Sequence, residues 1–482
     1  MTDPAYKEKI DAWVDAHKDE MIEDLSLLVR IPSTKGEAVE GMPYGREPAR
    51  GVEAMSALME RYGLKVTNYQ NYCVTGDLQG QGEKALDILA HLDVVPVSDT
   101  WTKTQPFEPL VEGDRIYGRG TSDDKGPAVA ALYALRAVRE LGFDLREGVR
   151  LICGSDEECG SSDLEYYYRF EKEAKYTFSP DADYPLINIE KGHLSKTFVK
   201  KGSLCASPEG KIRLVSLQGG DKSNVIPGKA CMTLAGTSAD ALDTAARKAA
   251  SGTGASFACT EQDDGTVLVQ VSGKTGHAAS PENAVNSLTA SLAFLNQLDL
   301  ADRDAERSLM ALGRMWPYGD HHARALDAAY EDEQSGVLTM TLDILSFSVS
   351  DDGASYTIEG CFDCRAPMCA DDQNLTEKIR CRLAEEGFMM EEGGMVPAHC
   401  VSADSELVRK LLESYELYFG KKGEAIAIGG GTYVHHLERG VAFGCAVPEV
   451  DNRMHGDDEF MEISMLVKSA KIFADAILRL CG

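Results

Sequence analysis

The stretch Leu86-Asp87-Ile88-Leu89-Ala90-His91-Leu92-Asp93 decides both the fold class and the place to look for a site. Its first five residues are mostly apolar, as in a strand buried within a sheet, and a histidine and an aspartate follow where that strand should end. Ligands of open α/β sheets gather at the carboxyl ends of the strands. The stretch therefore predicts a buried strand that presents His91 and Asp93 at its end.

Further residues of the types that bind metals occur later in the chain. They are Asp123 in the glycine-rich turn 118–126, the pair Glu157-Glu158, Asp181, and His455. Taken alone, Asp123 could simply cap the helix that begins after it, and the acidic pair could be a solvated loop. His435 and His436 are alternatives to His455 as the last imidazole.

In chain order these residues form a complete ligand set for two divalent cations: one imidazole, three carboxylates and a last imidazole. Zinc prefers nitrogen and carboxylate oxygen ligands, and catalytic zinc keeps one position open for water. Paired cations can share a bridging carboxylate and polarise both a water and a carbonyl. Glu157 is left over and could accept the proton of the attacking water. The pattern predicts a di-metal hydrolase.

The composition indicates a globular protein of more than one domain. A chain of 482 residues exceeds what one hydrophobic core usually supports. Its 43% hydrophobic and 26% charged residues are ordinary for such proteins. Lys plus Arg number 49 against 78 Asp plus Glu, a formal net charge of −29, which argues against nucleic acid or an anionic membrane as a partner.

The same composition predicts a cytoplasmic location. Residues 1–7 lack the charged-then-apolar layout of a secretory signal. No window of about eighteen uninterrupted apolar residues is present, so no membrane span is expected. The 13 cysteines, an odd number spread along the whole chain, fit a reducing compartment better than a disulfide framework.

The pattern of elements predicts a catalytic domain interrupted by a second domain. Strand-like and helix-like runs alternate up to residue 187, which favours an α/β sheet covered by helices. Residues 188–398 alternate like antiparallel strands with a few helices, and residues 399–482 return to helix and strand. We therefore expect a mixed-sheet α/β hydrolase domain, flanked by helices and formed by residues 1–187 and 399–482. Residues 188–398 would form an inserted α+β lid domain.

Six motifs, spread over nearly the whole chain, resemble those of a known family. They are His91-Leu92-Asp93-Val94-Val95-Pro96, residues 118–127, Asp156-Glu157-Glu158, Pro180-Asp181, Gly276-His277-Ala278-Ala279-Ser280-Pro281 and residues 429–433. The family they resemble is that of the co-catalytic zinc metallopeptidases, which includes aminoacylases, glutamate-type carboxypeptidases and dipeptidases. Within it the chain most resembles the PepV/Sapep-type bacterial dipeptidases.

The resemblance implies a role for each matching position. The first metal would be bound by His91, Asp123 and Asp181, and the second by Asp123, Glu158 and His455, so that Asp123 bridges. Asp93 would orient His91, and Glu157 would be the general base. The remaining matches would bind the substrate: His277, Asn224 in Asn224-Val225-Ile226-Pro227, Arg365, and the backbone of Gly430, Gly431 and Thr432.

The reaction implied is hydrolysis of the peptide bond of dipeptides with a free amino terminus, by a hydroxide bound at two divalent metals. Zinc is the expected metal, with manganese or cobalt as alternatives. An N-acyl amino acid deacylase or a carboxypeptidase on the same site stays open, because specificity lies in the lid. A non-catalytic metal-bound binding protein is a further alternative, against which the presence of Glu157 argues. Relatives with a short lid pair so that a partner supplies a histidine; the insert here is long, which predicts a monomer.

Overall fold

The computed structural model describes residues 4–204 and 210–482. It divides into two compact units: unit 1 comprises Met1–Glu190 and His399–Gly482, and unit 2 comprises Lys191–Ala398. The first boundary therefore follows Glu190, where the sequence placed it after residue 187. The reason is that residues 187–190 form a strand of the large sheet of unit 1.

The elements follow in chain order. The first part of unit 1 contains α1 (Pro4–Ala16), α2 (Lys18–Val29), α3 (Arg46–Arg61), β1 (Lys65–Tyr69), β2 (Cys73–Leu78), β3 (Lys84–His91), β4 (Leu110–Glu112), β5 (Arg115–Tyr117), α4 (Lys125–Glu140), β6 (Gly148–Gly154), α5 (Ser162–Tyr167), β7 (Tyr176–Ser179), β8 (Ala182–Asp183) and β9 (Ile187–Glu190). Unit 2 contains β10 (Gly192–Ser203), β11 (Arg213–Gly219), β12 (Val225–Ile226), β13 (Lys229–Ala235), α6 (Ala239–Thr253), β14 (Ser256–Glu261), β15 (Val267–Ser272), β16 (Gly276–His277), α7 (Ser287–Leu295), α8 (Asp304–Met315), β17 (Glu331–Asp332), β18 (Gly336–Val337), β19 (Thr339–Val349), β20 (Ser355–Ala366), α9 (Glu377–Glu385) and β21 (Met389–Met390). The second part of unit 1 contains β22 (His399–Cys400), α10 (Glu406–Phe419), β23 (Ile426–Ile428), β24 (Gly440–Ala442), β25 (Cys445–Ala446), β26 (Phe460–Glu462) and α11 (Ile463–Cys481).

Unit 1 is built on a mixed nine-stranded sheet of order β1-β2-β6-β3-β7-β24-β9-β22, with β23 pairing to β9. Its centre is parallel: β3 lies between β6 and β7 and runs parallel to both, and β24 runs parallel to β7. Its margins are antiparallel, at β1-β2, β2-β6, β24-β9 and β9-β22. The carboxyl ends of β3, β6 and β7 therefore meet at one edge.

Helices cover both faces of this sheet, because its central strands are apolar on both sides. Ile88 and Ala90 of β3 point into the larger core, which α4 and α11 also line. Leu89, between them, belongs to a smaller core on the opposite face, lined by α5. This alternation follows from the pleat of a strand. A strand buried on both faces is why the segment reads as a near-continuous apolar run.

Unit 2 has its own antiparallel sheet of eight strands, ordered β14-β15-β13-β11-β19-β20-β10-β21. Helix α7 packs on β13, β15 and β19, and a separate core fills the space between the sheet and the helices. The two units together confirm the predicted fold class, an α/β domain with an α+β insert. Across residues 4–204 and 210–482, no helix has the length and apolar character needed to cross a membrane.

Candidate metal centre

Strand β3 delivers His91 to the edge of the sheet, where the side chain is fully buried. Its backbone N–H donates to Asp124 Oδ2 at 3.0 Å, and Nδ1 donates to the backbone carbonyl of Asp93 at 3.1 Å. The Asp93 carboxylate lies farther away, with Oδ1 3.5 Å from Nδ1. Both the carbonyl and the carboxylate of Asp93 thus lie beside the ring, and the role of the Asp93 side chain in orienting His91 stays a prediction.

The glycine-rich turn places Asp123 between two imidazoles. Gly120 has φ +86°, a conformation that favours glycine, and a Cβ at Gly126 would lie 2.0 Å from the carbonyl oxygen of Thr121. The turn ends where α4 begins. There, Asp123 Oδ1 lies 2.9 Å from His91 Nε2 and Oδ2 lies 2.9 Å from His455 Nε2. One carboxylate thus presents one oxygen to each histidine.

The acidic pair Glu157-Glu158 begins a one-turn helix directly after β6. The carboxylate of Asp93 accepts both of their backbone N–H groups, at 3.2 Å from Glu157 and 3.1 Å from Glu158. Glu158 Oε2 then lies 3.2 Å from His455 Nε2. The main contact of the Asp93 carboxylate is therefore with the turn that carries the two glutamates.

The structure brings the predicted ligands together in two overlapping groups. Ligand atoms of His91, Asp123 and Glu158 lie within 4.8 Å of one another, and so do those of His91, Glu157 and Asp181. Asp181 Oδ2, just beyond β7, is 3.6 Å from His91 Nε2. Glu157 is therefore close enough to the cluster to act either as a ligand or as a base.

The chemistry of the cluster fits a cation. Because Nδ1 of His91 donates to a carbonyl, Nε2 of the neutral ring carries a lone pair, and that lone pair faces the carboxylates of Asp123 and Asp181. Within residues 4–204 and 210–482, Nε2 makes no hydrogen bond of acceptable geometry. A divalent ion would satisfy this buried nitrogen and neutralise the carboxylates around it.

The pKa shifts of the cluster without a cation also indicate that it fits one. Burial disfavours a charge on His91, but the surrounding carboxylates, Asp123 foremost, hold the pKa of His91 well above its usual range. The hydrogen bonds to Asp123 and Glu158 raise the pKa of His455 to about 11. Burial, and then the charge of Asp123, raise the pKa of Glu158 to about 7. Protons thus do the neutralising that a metal ion would do.

The comparisons with known proteins agree with this geometry. The model of peptidase family M20/M25/M40 matches residues 88–479. The chain is 32% identical over 475 residues to the putative dipeptidase YtjP of Bacillus subtilis strain 168, covering 96% of this chain and 97% of that one. The chain belongs to peptidase family M20/M25/M40. The metallopeptidase that the sequence predicted is confirmed.

Two further proteins show how far the likeness extends. The chain is 30% identical over 475 residues to the Beta-Ala-Xaa dipeptidase of Lactobacillus delbrueckii subsp. lactis, covering 97% of each. The solved structure of human carnosine dipeptidase 1 superposes with a TM-score of 0.58 at 17% identity, covering 99% of each chain. At that identity the structural match supports the fold alone.

In the loop formed by residues 429–433, Thr432 does not have the role that the sequence predicts for it. Its backbone N–H and its hydroxyl both donate to the buried carboxylate of Glu190, at 3.1 and 2.9 Å for Oε1. The N–H that the sequence assigned to a substrate carboxylate is therefore used inside the protein. His435, an alternative ligand in the sequence, also contacts Glu190, with Nδ1 3.1 Å from Oε2. His455, in contrast, lies beside Asp123 and Glu158.

In unit 2, two of the predicted substrate residues come together. Strands β12 and β16 pair, which sets Val225 opposite His277, and the Ala278 N–H donates to the carbonyl of Asn224 at 3.0 Å. Nδ1 of His277 accepts the Ala279 N–H at 3.1 Å. The neutral ring therefore carries its proton on Nε2 and is a hydrogen-bond donor there.

Arg365, on β20 of unit 2, is held by a neighbouring carboxylate. Its Nε and Nη2 donate to the two oxygens of Asp363 at 2.7 and 3.0 Å, and Nε2 of His193 lies 2.8 Å from Asp363 Oδ2. The sequence predicts that Arg365 binds the substrate, and an arginine fork can do so by a bidentate contact with a carboxylate. In this structure Asp363 takes that bidentate contact, because the two residues stand on the same face of one strand.

Three residues that support the site were missed in the sequence. Asp124 holds the backbone of His91, Asp163 accepts the N–H groups of Ser155 and Asp156 at 2.6 and 2.9 Å, and Glu459 accepts from the glycine-rich turn. Each is an acid that accepts at least one backbone N–H group. Asp124 lies beside Asp123 in the motif 118–127 and Glu459 in the acidic run after His455, whereas Asp163 gave no sequence signal.

Proposed function

We propose that the chain is a metal-dependent dipeptidase that cleaves dipeptides with a free amino terminus. The observation that carries the proposal is the Asp123 carboxylate, which turns one oxygen toward His91 and the other toward His455. That is the arrangement that a bridging ligand of two cations requires. The dipeptide substrate rests on the relatives, since two that match at 30% identity or more are described as a putative dipeptidase and a Beta-Ala-Xaa dipeptidase.

Two ions would be held by the side chains already described. The ligands of one would be His91, Asp123 and Asp181, and those of the other Asp123, Glu158 and His455. Bound there, divalent ions supply Lewis acidity: they lower the pKa of a water and polarise the scissile carbonyl. The nitrogen and carboxylate ligands favour zinc, with manganese or cobalt as alternatives.

Glu157 would move the proton. It begins the turn beside the cluster, and burial raises the pKa of its carboxyl well above its usual range. A cation at the neighbouring ligands would counter that rise and favour the ionised carboxylate that a general base requires. Glu157 would then accept the proton of the attacking water and pass it to the leaving amine.

The roles of the unit 2 residues stay predictions. His277, with its proton on Nε2, suits a donor to the oxyanion of the tetrahedral intermediate, an interaction typically worth about 2.7–4 kcal/mol. Asn224 lies next to it, directly before the strand that pairs with the His277 strand. Arg365 and the loop residues Gly430 and Gly431 stay candidates for the peptide carboxylate.

A matched pair of variants tests the proposal. Glu157→Gln should retain both metals and lose at least about a hundredfold in turnover of a free dipeptide, the scale of general acid–base catalysis. Glu158→Gln should lose metal instead. Glu165→Gln, an exposed glutamate of α5, is the control and should match wild type. If Glu157→Gln and Glu158→Gln had the same effects on metal content and turnover, the assignment of Glu157 as base and Glu158 as metal ligand would be wrong.

Substrate ends separate the dipeptidase from the alternatives on the same site. Free dipeptides should be cleaved faster than N-acetylated amino acids or longer peptides. Preference for the N-acetylated compounds would favour a deacylase, and preference for longer chains a carboxypeptidase. No turnover of any of them by a protein that holds both metals would favour the non-catalytic alternative.

The oligomeric state and the compartment also stay predictions, a monomer in the cytoplasm. Sedimentation at assay concentration tests the first. Mixing inactive His91→Ala and His277→Ala chains sharpens that test, because restored activity would show that His277 acts across a dimer and would remove the monomer.

A further inference from the structure

Glu459 is a buried carboxylate that the proposed reaction does not use. It lies four residues after His455, directly before β26, and its side chain is fully buried. Its Oε1 accepts the backbone N–H groups of Gly120, Ser122 and Asp123 at 3.1, 2.9 and 3.2 Å. All three belong to the glycine-rich turn that carries the bridging aspartate.

The backbone fixes where this carboxylate enters the turn. Strand β26 pairs antiparallel with β5, which sets Phe460 opposite Tyr117. The pairing continues one step further, where the Gly118 N–H donates to the Glu459 carbonyl at 3.0 Å. The segment that carries His455 is therefore aligned with the start of the glycine-rich turn before any side chain contributes.

Arg119 extends the same connection to the residue next to His455. Its Nη1 donates to Glu459 Oε2 at 2.5 Å, and its Nη2 donates to the carbonyl of Gly456 at 2.9 Å. Asn452 adds a contact between the same two segments, from Nδ2 to Ser122 Oγ at 2.8 Å. Glu459 stands at the centre of these contacts.

The groups that contact the Glu459 carboxylate are hydrogen-bond donors. Among residues 4–204 and 210–482, its hydrogen-bond partners are three backbone N–H groups and one guanidinium, and such a set of N–H groups binds an anion. An amide in the same place would turn its own N–H₂ toward those donors.

We propose that Glu459 is a positioning residue that sets the separation of Asp123 and His455, the two ligands that would share one ion. The proposal rests on the metal centre of the proposed function. If it holds, replacing Glu459 weakens the binding of that ion while the fold of unit 1 persists. A residue that served only the stability of the fold would lower the unfolding temperature and leave the metal site unchanged.

The test measures metals rather than turnover. Full-length wild type, Glu459→Gln and Glu462→Gln are stripped with a chelator and titrated with zinc against a chromophoric competitor. Glu462, three residues further on and partly exposed, is the matched control. We expect one ion of Glu459→Gln to bind roughly 10- to 100-fold more weakly, the usual cost of losing a residue that supports a metal ligand. Glu462→Gln should match wild type.

Cobalt gives the second readout. The visible absorption of bound Co²⁺ depends on its coordination geometry, so Glu459→Gln should change the spectrum and Glu462→Gln should not. A Glu459→Gln chain with wild-type zinc affinity and a wild-type cobalt spectrum would overturn the proposal, whatever its unfolding temperature.

A third variant covers the case in which Glu459→Gln does not fold. Glu459→Asp keeps the charge and shortens the side chain by one methylene, so it should also weaken one ion, and wild-type affinity there would refute the proposal. A wild-type chain that binds no divalent ion would instead defeat the proposed function, which separates the two failures.

Discussion

Replacing Asp93 by asparagine tests the assignment of its carboxylate to the turn that carries Glu157 and Glu158. The side chain is buried, and its two oxygens each accept one backbone N–H, from Glu157 at 3.2 Å and from Glu158 at 3.1 Å. Asparagine has nearly the same shape. It keeps one acceptor and places an N–H₂ group against the other N–H.

The expected loss of activity follows from the one hydrogen bond that asparagine cannot accept. One hydrogen bond to a charged acceptor contributes about 1.5–3 kcal/mol. If the whole loss appears in the transition state, kcat/KM should fall roughly 10- to 150-fold, at about 1.36 kcal/mol per tenfold. Asp93→Ala removes both contacts, and about 3–6 kcal/mol is its upper bound, because neighbouring contacts are not additive.

Steady-state kinetics with a free dipeptide and saturating zinc provide the assay, with metal content measured on the same samples. Asp99→Asn, on an exposed loop nearby, is the matched control and should stay within twofold of wild type, at most about 0.4 kcal/mol by the same conversion. The reasoning fails if Asp93→Asn loses metal affinity alone and recovers wild-type kcat once metal is saturating. That result would mean that Asp93 acts through His91 after all.

Three further predictions follow from the described contacts. Because the pKa of His455 is raised to about 11, its ring is protonated at neutral pH without metal, so binding should release a proton and tighten as pH rises, as calorimetry in buffers of different ionisation enthalpy would show. Gly154→Ala should lower the unfolding temperature and the metal content, since its Cβ would lie 2.0 Å from a buried tyrosine oxygen; Gly252→Ala, which meets nothing within 4 Å, should do neither. Asp363→Asn should loosen Arg365 and raise KM for free dipeptides several-fold while leaving metal content unchanged; an unchanged KM would remove Arg365 from substrate binding.

The sequence predicted the elements whose burial is simple. The apolar run at residues 86–90 lies within β3, and the helix expected after Asp123 is α4, because both elements are buried almost throughout. Strand β10 was missed. It is a long strand, yet only Leu194 and Phe198 lie in the core, and polar residues separate them. Its place in the sheet comes from pairing with β20 and β21, which no local pattern reveals.

In the site too, some residues could be predicted from the sequence and others could not. The ligand types could be recognised because metals restrict which residues bind them, and the structure brings His91, Asp123 and Asp181 together. The supporting residues could not be recognised, because they accept hydrogen bonds from backbone N–H groups, which almost any residue can donate. Thr432 shows the consequence: its donors go to Glu190, which precedes it by 242 positions in the chain.

The position of β24 has a consequence for how the protein is made. In the sheet of unit 1 this strand, formed by residues 440–442, lies between β7 and β9, both of which precede it by more than 240 residues. On the ribosome, unit 2 can emerge entire while the sheet of unit 1 still has a gap in its interior and an exposed strand edge on each side of it. Such edges invite pairing with other chains. Nascent chains stalled between residues 400 and 440 should therefore be the ones that chaperones hold longest, and ribosome-bound truncations at those lengths would show it by their sensitivity to protease.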